Sequence, residues 1–524
     1  MQYQRKTDDI QRVDRPYLQL FIILLGTFMA VLDNSIVNVA IPTMETALNA
    51  NTDSIKWVVT GYMLISGVVV PVSGWLSDRL GPKHLFLFSL VSFTLGSALC
   101  GAAWNLPSMI AFRLLQGLGG GFMMPVANAM IFRIFPPEKR GVVMGLFGLA
   151  IMAAPAFGPL LSGYFVEDAS WRLIFYINVP IGVIGTLLGV LFLYEFPHQV
   201  TSKLDVLGIT LSTVGLFSLL FGFNNVAQYG WGSPHVWPFV VVGALVVFFF
   251  ILVELFTENP VIELRVFRYY LYTMSTLISS VLQVALFVGL FVLPLYLQNI
   301  MGYTAIRTGL FMTPAALVSA VGMVISGRLL NKVGARTLGI IGLTILTVTT
   351  YGFTKLDMDS TSTSIQVLYI FRSLGMSLTM MPMMTVGMNQ VPLRFVAQAS
   401  AVGNTFRQVM ASLGTAVFLS YMGTQTNLHL YHMDAQMTPY SPQGLQLRGL
   451  EAGLEQAGVS PFAAHRLALG LVYNLLSARS FVEGMNDLFM VSTLLTLVAL
   501  VMTLFFRSRR EAPQQAAQPS VVME

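Results

Sequence analysis

Apolar runs of about twenty residues, broken by short polar turns, recur all along this chain. A helix needs about 20 residues to cross ~30 Å of hydrocarbon. The pattern therefore predicts fourteen spanning helices, near 17–40, 55–76, 84–104, 107–132, 141–164, 173–195, 205–223, 237–256, 270–297, 308–329, 337–354, 364–388, 397–421 and 485–506. The first run carries a carboxylate, Asp33, two-thirds of the way along. A charge there costs about 3 kcal/mol on insertion scales, which marks Asp33 as part of a proton, ion or substrate path. Asn34 and Asn38 share its helix face within an arc of about 140° at 100° per residue. The three make one wet stripe on an apolar span.

Composition narrows the class. Hydrophobic residues form 55% of the 524 and charged ones 10%, too few charges to surface several soluble domains. The 29 lysines and arginines sit mostly at the ends of the runs, which argues against nucleic acid. With the N-terminus inside, 19 fall on the cytoplasmic side, among them Arg5, Lys6, Arg507 and Arg510; seven fall outside, and three lie within spans. That asymmetry satisfies the positive-inside rule and places both termini in the cytoplasm. One cysteine, Cys100, rules out an internal disulfide, and the six histidines show no metal-ligand spacing. No cleavable signal peptide is evident. No phosphate-binding G-x4-G-K-[S/T] loop occurs, which opposes ATP-driven transport.

The chain repeats itself. Gly74-Trp75-Leu76-Ser77-Asp78-Arg79-Leu80-Gly81 closes the second run, and Gly327-Arg328-Leu329-Leu330-Asn331-Lys332-Val333-Gly334 closes the tenth, 253 residues later. Phe112-Arg113 followed by Met123-Met124-Pro125 is echoed by Phe371-Arg372 followed by Met380-Met381-Pro382. Parallel halves of this kind characterise one large transporter class. The organisation expected is an all-α polytopic membrane protein: a cytoplasmic N-terminus (1–16), a six-helix bundle (17–196), two linking helices (197–264), a second six-helix bundle (265–506) and a cytoplasmic tail (507–524). Within the second bundle, 422–484 reads as a long external loop with amphipathic helical patterning near Leu445–Leu454 and Ala464–Leu476.

These motifs resemble the fourteen-span drug:proton antiporters of the major facilitator superfamily, the EmrB/QacA-like branch. Leu32-Asp33-Asn34-Ser35-Ile36-Val37-Asn38-Val39-Ala40-Ile41-Pro42 is similar to the first-span motif of that branch, and Trp171-Arg172, Phe175 and Asn178-Val179-Pro180-Ile181-Gly182 to a second. Gly74 to Lys83 resembles the superfamily loop signature, with Pro82 in place of one basic residue. Arg113, Gln116, Gly117 and Gly119 match the fourth-span motif tied to proton coupling. Gly145, Gly158, Pro159 and Gly163 match the fifth-span antiporter motif, with Ala154 and Ser162 where glycines are usual. The resemblance implies a major facilitator fold and proton-driven export without a cofactor. It also implies a latch (Gly74, Asp78, Arg79, Gly81, Lys83) that holds the outward-open state, and, in some bacteria, a periplasmic adaptor with an outer-membrane channel.

Physical chemistry assigns further roles. At 1.5 Å per residue Asp33 and Arg113 reach similar depth, about 10 Å from the outer boundary, so an ion-paired neighbourhood is expected. Such a carboxylate, balanced between burial and a guanidinium, loads and releases protons as its access to water alternates; a permanently ionised structural pair is the plainer alternative. Gly117 and Gly120 serve close helix packing. Pro155 and Pro159 kink the fifth span, and with Gly145, Gly158 and Gly163 they form a dry seam between the halves. Candidates for a substrate cavity are Asn34, Asn38, Gln116, Gln283, Met380, Met384, Asn404 and Arg407. If Arg113, Arg372 and Arg407 all face it, it favours anionic, zwitterionic or weakly acidic amphiphiles. Glu195 and Glu254, at span ends, read as solvated. The function expected is proton-coupled export of amphiphiles. Its rivals are export of one dedicated compound, proton-coupled uptake, and a non-transporting interaction protein acting through 422–484.

Overall fold

The computed structural model of the chain describes residues 14–196, 205–257, 260–438 and 440–506. The expected tail, and Arg5, Lys6, Arg507 and Arg510 with it, lie outside the described residues. The described chain is helical, without a strand. The first half comprises α1 (Pro16–Ala47), α2 (Trp57–Val69), α3 (Val72–Leu80), α4 (Pro82–Gly101), α5 (Leu106–Ile134), α6 (Pro137–Asp168) and α7 (Asn178–Phe192). The linking helices are α8 (Val206–Tyr229) and α9 (Trp237–Phe256). The second half comprises α10 (Tyr270–Asn299), α11 (Ala305–Val333), α12 (Ala335–Gly352), α13 (Ser362–Asn389), α14 (Val396–Ala435), α15 (Pro442–Gln456) and α16 (Pro461–Leu504). Eleven of the helices, or twelve with the bent pair that contains α2 and α3, are long and apolar enough to cross a membrane. Helices α6 and α14 complete the fourteen expected runs as helices but are not among those.

Three boundaries differ from expectation. The second run is not one helix: its axis turns by 60° between Val69 and Val72. Pro71, between the two, supplies no N–H to the ladder, which weakens the helix there. Helix α1 runs seven residues past position 40, to Ala47, so Asp33 sits near its middle. The stretch 422–484 is not a loop. Helix α14 continues to Ala435, α15 follows, and α16 starts at Pro461, so the segment is almost wholly helical. Of its two amphipathic stretches, Ala464–Leu476 belongs to α16, an extension of a membrane helix, and Leu445–Leu454 forms the separate α15.

Helix pairing repeats between the halves. In the first, α1 packs on α6, α4 on α5, α5 on α2 and α3, and α7 on α4 and α1. In the second, α10 packs on α14, α12 on α13, α13 on α11, and α16 on α12 and α10. The two halves meet through α6 with α11 and through α14 with α3 and α5. Helix α8 touches both α2 and α14.

The buried apolar side chains show how the halves are joined. At the end where α1 begins and Asp78 lies, one core spans both halves, from Leu20, Phe86 and Phe132 to Met323, Met383 and Val396. At the opposite end the cores are separate. Ile36, Met44, Val58 and Trp171 belong to one, and Val292, Phe311, Phe353 and Phe489 to the other. The halves share a buried core at the Asp78 end, and each keeps its own at the far end.

Candidate proton site and gate

Helix α5 starts on a capping box in which Asn105 Oδ1 accepts from Ser108 N at 2.9 Å and Ser108 Oγ accepts from Asn105 N at 3.3 Å. This fixes where the next two turns point. Glycines on two faces then let neighbours close on α5. A Cβ on Gly121 would stand 2.6 Å from Ser66 O of α2, and one on Gly119 2.6 Å from Ser89 O of α4. Gly117 and Gly120 meet Tyr62 of α2 in the same way.

In the space so formed, Arg113 donates from Nη1 to Asp33 Oδ2 at 2.7 Å, and both side chains are 0% exposed. Gln116 Nε2 donates to Asp33 Oδ1 at 2.8 Å, and Asn178 Nδ2 to the same oxygen at 3.1 Å. Gln116 Oε1 accepts from Arg113 Nη1 at 2.8 Å. Ser97 Oγ accepts from Gln116 Nε2 (3.1 Å) and Asn178 Nδ2 (3.0 Å). Arg113 Nε reaches Val58 O at 2.9 Å, and its guanidinium lies over the Tyr62 ring, 4.4 Å from the centroid. Helices α1, α2, α4, α5 and α7 all contribute. The carboxylate accepts from three donors, one of them its counter-ion Arg113, and charge-assisted bonds of this kind are the strong ones.

The sequence reading placed Asp33 on a wet stripe with Asn34 and Asn38, and the structure corrects this. Asp33 points into the first half, Asn34 is half-buried, and Asn38 is exposed with its amide on Asn34 O at 2.8 Å. Gln116, expected in the substrate cavity, is wholly buried in the Asp33 network instead. Ser97, Tyr62 and Asn178 were missed as site residues. Asn178 stands in the second branch-typical run, which gives it no partner, and Ser97 and Tyr62 lie on apolar spans without periodic pattern, so nothing in the sequence points the three at Asp33.

The three arginines do not share a cavity either. Arg372 is buried on α13 and donates from Nη2 to Ala285 O of α10, within the second half. Arg407 alone borders a cleft, with Tyr272, Thr276, Met384, Ser400 and Gly403. Its Nη2 donates to Asn404 Oδ1 at 3.0 Å, and Asn404 in turn donates to Ser400 O at 2.8 Å. No carboxylate among the described residues lies within ion-pair distance of Arg407. Met380, though buried, and Gln283, half-buried, do not line this cleft. Glu195 is exposed, as expected, and faces His84 Nδ1 at 3.3 Å. Glu254 is not solvated; it is 3% exposed.

At the end with the shared core, Asp78 does not cap a helix. Arg133 Nη2 of α5 donates to its Oδ1 at 2.9 Å, and Gln398 Nε2 of α14 donates to its Oδ2 at 3.3 Å, which ties one half to the other. Gly74 lies against α14, where a Cβ would meet Gln398 Cα at 3.0 Å. Arg79 takes no part; it is exposed and stacks on Trp75 at 5.0 Å. Lys83 Nζ donates to Val190 O at 3.1 Å, inside the first half. Gly81 and Gly334 end their helices at φ 85° and 86°, a left-handed turn that glycine makes without strain.

The repeat explains the gate. Gly145 lies 253 residues before Gln398, the same offset as Gly74 to Gly327. A Cβ on Gly327 would meet Gly145 Cα at 3.4 Å, as one on Gly74 meets Gln398 Cα. One helix-to-helix contact is therefore used twice. Asn331 Nδ2 donates to Glu138 O at 2.7 Å and Arg140 Nη1 to Asn389 Oδ1 at 2.8 Å across it. Of the expected seam residues, Gly145 touches the second half at Met323 O (2.6 Å from a Cβ) and Gly163 faces Ile306 (3.4 Å). Gly158 instead faces Ser35 of α1, whose Oγ donates to Pro155 O at 3.3 Å. The side chain of Pro159 lies outside the described residues.

Comparison with known proteins agrees with this architecture. The family described as Major Facilitator Superfamily matches residues 23–415. The chain is 39% identical to the uncharacterized MFS-type transporter YhcA of Bacillus subtilis (strain 168), over 95% of this chain and 94% of that one. It is 33% identical to the lincomycin resistance protein LmrB of the same organism (86% and 93%). It is 28% identical to the multidrug export protein EmrB of Escherichia coli (strain K12) (96% and 97%). The solved structure of the human organic anion transporter MFSD10 (TETRAN) shares the fold at 12% identity and TM-score 0.58, over 92% of this chain and 99% of that one. The parallel halves, the repeated gate contact and these likenesses lead to one conclusion: the chain is a multi-pass membrane protein of the Major Facilitator Superfamily, in its EmrB/QacA-like branch.

Proposed function

We propose that the protein exports amphiphilic, drug-like compounds across the bacterial cytoplasmic membrane in exchange for protons, with both termini in the cytoplasm. The observation that carries this reading is the buried Asp33 cluster, a carboxylate held by Arg113, Gln116 and Asn178 where five helices meet. The names of LmrB and EmrB support a drug-like substrate, and the distribution of lysine and arginine supports the orientation. With the Asp78 end cytoplasmic, the conformation described is outward-facing.

A proton reaching Asp33 from outside removes the counter-ion of Arg113 and one reason for α1, α5 and α7 to hold together. The guanidinium must then find Gln116 or a carbonyl, and the helices reseat. The gate must yield in the same cycle. A net contribution of about 1 kcal/mol per hydrogen bond suits links that break at every turnover. One charge crossing 100 mV supplies about 2.3 kcal/mol. Release of the proton inside restores the ion pair and resets the first half.

On the substrate side the half-buried Arg407, with no carboxylate partner among the described residues, favours amphiphiles with an acidic group. Proteoliposomes loaded with a pH dye test both points. An acidic amphiphile added to wild type is expected to move protons in antiport, and Asp33→Asn to abolish this. Arg407→Gln is expected to weaken the response to the acidic compound more than to a lipophilic cation. Equal proton movement in wild type and Asp33→Asn would overturn the coupling role.

A further inference from the structure

The linking helices hold two carboxylates that the transport cycle does not use. Glu254, in the last turn of α9, is 3% exposed. Its Oε2 accepts from Ile262 N at 3.5 Å, and its Oε1 is buried without a partner. Asp205 caps α8, accepting from Gly208 N through Oδ1 at 2.8 Å, while its Oδ2 is also buried without a partner. The two orphan oxygens flank one spot: a Cβ on Gly208 would lie 2.6 Å from Asp205 Oδ2 and 2.7 Å from Glu254 Oε1. Only glycine leaves this cradle open. No cation among the described residues lies within ion-pair distance of either group. The next carboxylate, Glu263 on the connector to α10, has its own partner in Arg265 Nε at 3.8 Å.

Each carboxylate has one oxygen on a backbone N–H and the other without a partner; two such charges side by side repel each other, and burying the Glu254 charge with so little pairing is costly. A hard metal ion asks for six or more oxygens, so with two unpaired ones here it would have to bring most of its shell as water. No group of three metal-ligating side chains occurs among the described residues. A proton needs only two oxygens. The single negative charge that remains is favoured by the partial positive charge at the N-terminus of α8.

We propose that Asp205 and Glu254 bind one proton between them, a second proton site that lies outside both six-helix halves. While occupied, it holds the feet of α8 and α9 together and fixes α9 to the connector that enters α10. Its loss leaves two like charges facing each other at the joint of the linking pair and the second half.

Infrared spectra of the full-length protein in lipid vesicles test this through the C=O stretch of a protonated carboxyl group. At neutral pH wild type is expected to show such a band, and Glu254→Gln to lose it. Asp33→Asn is expected to keep it, which separates this site from the export reading. Asp205→Asn shifts its frequency, because the partner oxygen is gone. Gly208→Ala keeps both carboxylates but fills the cradle, and is expected to shift the band as well, which covers the case of a Glu254→Gln protein that fails to fold. The proposal is overturned if folded Glu254→Gln retains the whole band. It is overturned equally if sodium or potassium chloride at fixed pH removes the band, which would make the pair a cation site.

Discussion

Asp33 and Arg113 form the costliest pair of charges in the first half, and each is tolerable only because of the other. Removing one partner of a buried pair typically costs about 3–5 kcal/mol, because the remaining charge is left bare. Asp33→Asn is therefore expected to lower the thermal stability of the purified protein, and adding Arg113→Gln to recover part of the loss. Additive losses in the double variant would show that the two do not act as a unit. The pair was legible in the sequence because depth along two spans follows from counting residues at a fixed rise. Gln116, Ser97 and Asn178 were not legible as its partners. Which way a polar side chain faces on an apolar helix depends on the neighbours, and those are set by packing.

At the scale of elements, the contact between α6 and α11 is backbone against backbone. A Cβ on Gly141 would stand 2.6 Å from Gly327 O, and one on Gly145 2.6 Å from Met323 O. Overpacking of this kind costs about 1–3 kcal/mol where the backbone has to shift. Gly145→Leu is expected to insert and fold with a lowered melting temperature, and to lose transport because the two helices no longer slide at van der Waals distance. Unchanged proton antiport in that variant would remove the seam from the cycle. The glycines of the seam were visible in the sequence as small residues on a span. Their targets were not: Gly158 packs within its own half and Gly145 against the other, a difference that only the placement of α1 and α11 creates. The turn at Pro71 was within reach of the sequence, and the continuous apolar run concealed it.

At the scale of the whole molecule, the two halves share one core at the Asp78 end and hold separate cores at the other. Asp78 is the point where one carboxylate serves Arg133 within a half and Gln398 across to the other. Asp78→Asn is expected to raise the population closed at the far end, and Gln398→Ala to do so by less, since it leaves the ion pair with Arg133 intact. Spin labels on Ala102→Cys and Ser364→Cys, with Cys100→Ser, would read this as a shift to shorter distances. A distance distribution unmoved by either variant would mean that the gate is held elsewhere, by Arg140 with Asn389 or Asn331 with Glu138.

By itself the sequence determined that this chain lies in a membrane, where most of its spans run and that its two halves repeat. Hydrocarbon thickness, the cost of charge and the offset of repeated motifs are all properties of the chain read in one dimension. It also brought Asp33 and Arg113 to one depth. Only the tertiary structure decided that Arg372 and Arg407 belong to different surroundings, that Arg133 and Gln398 complete the gate, and that Glu254 is buried beside Asp205. These depend on the rotation of each helix about its axis and on which helices become neighbours. In an all-round apolar span the periodicity that would reveal that rotation is absent, and close packing through glycine supplies it.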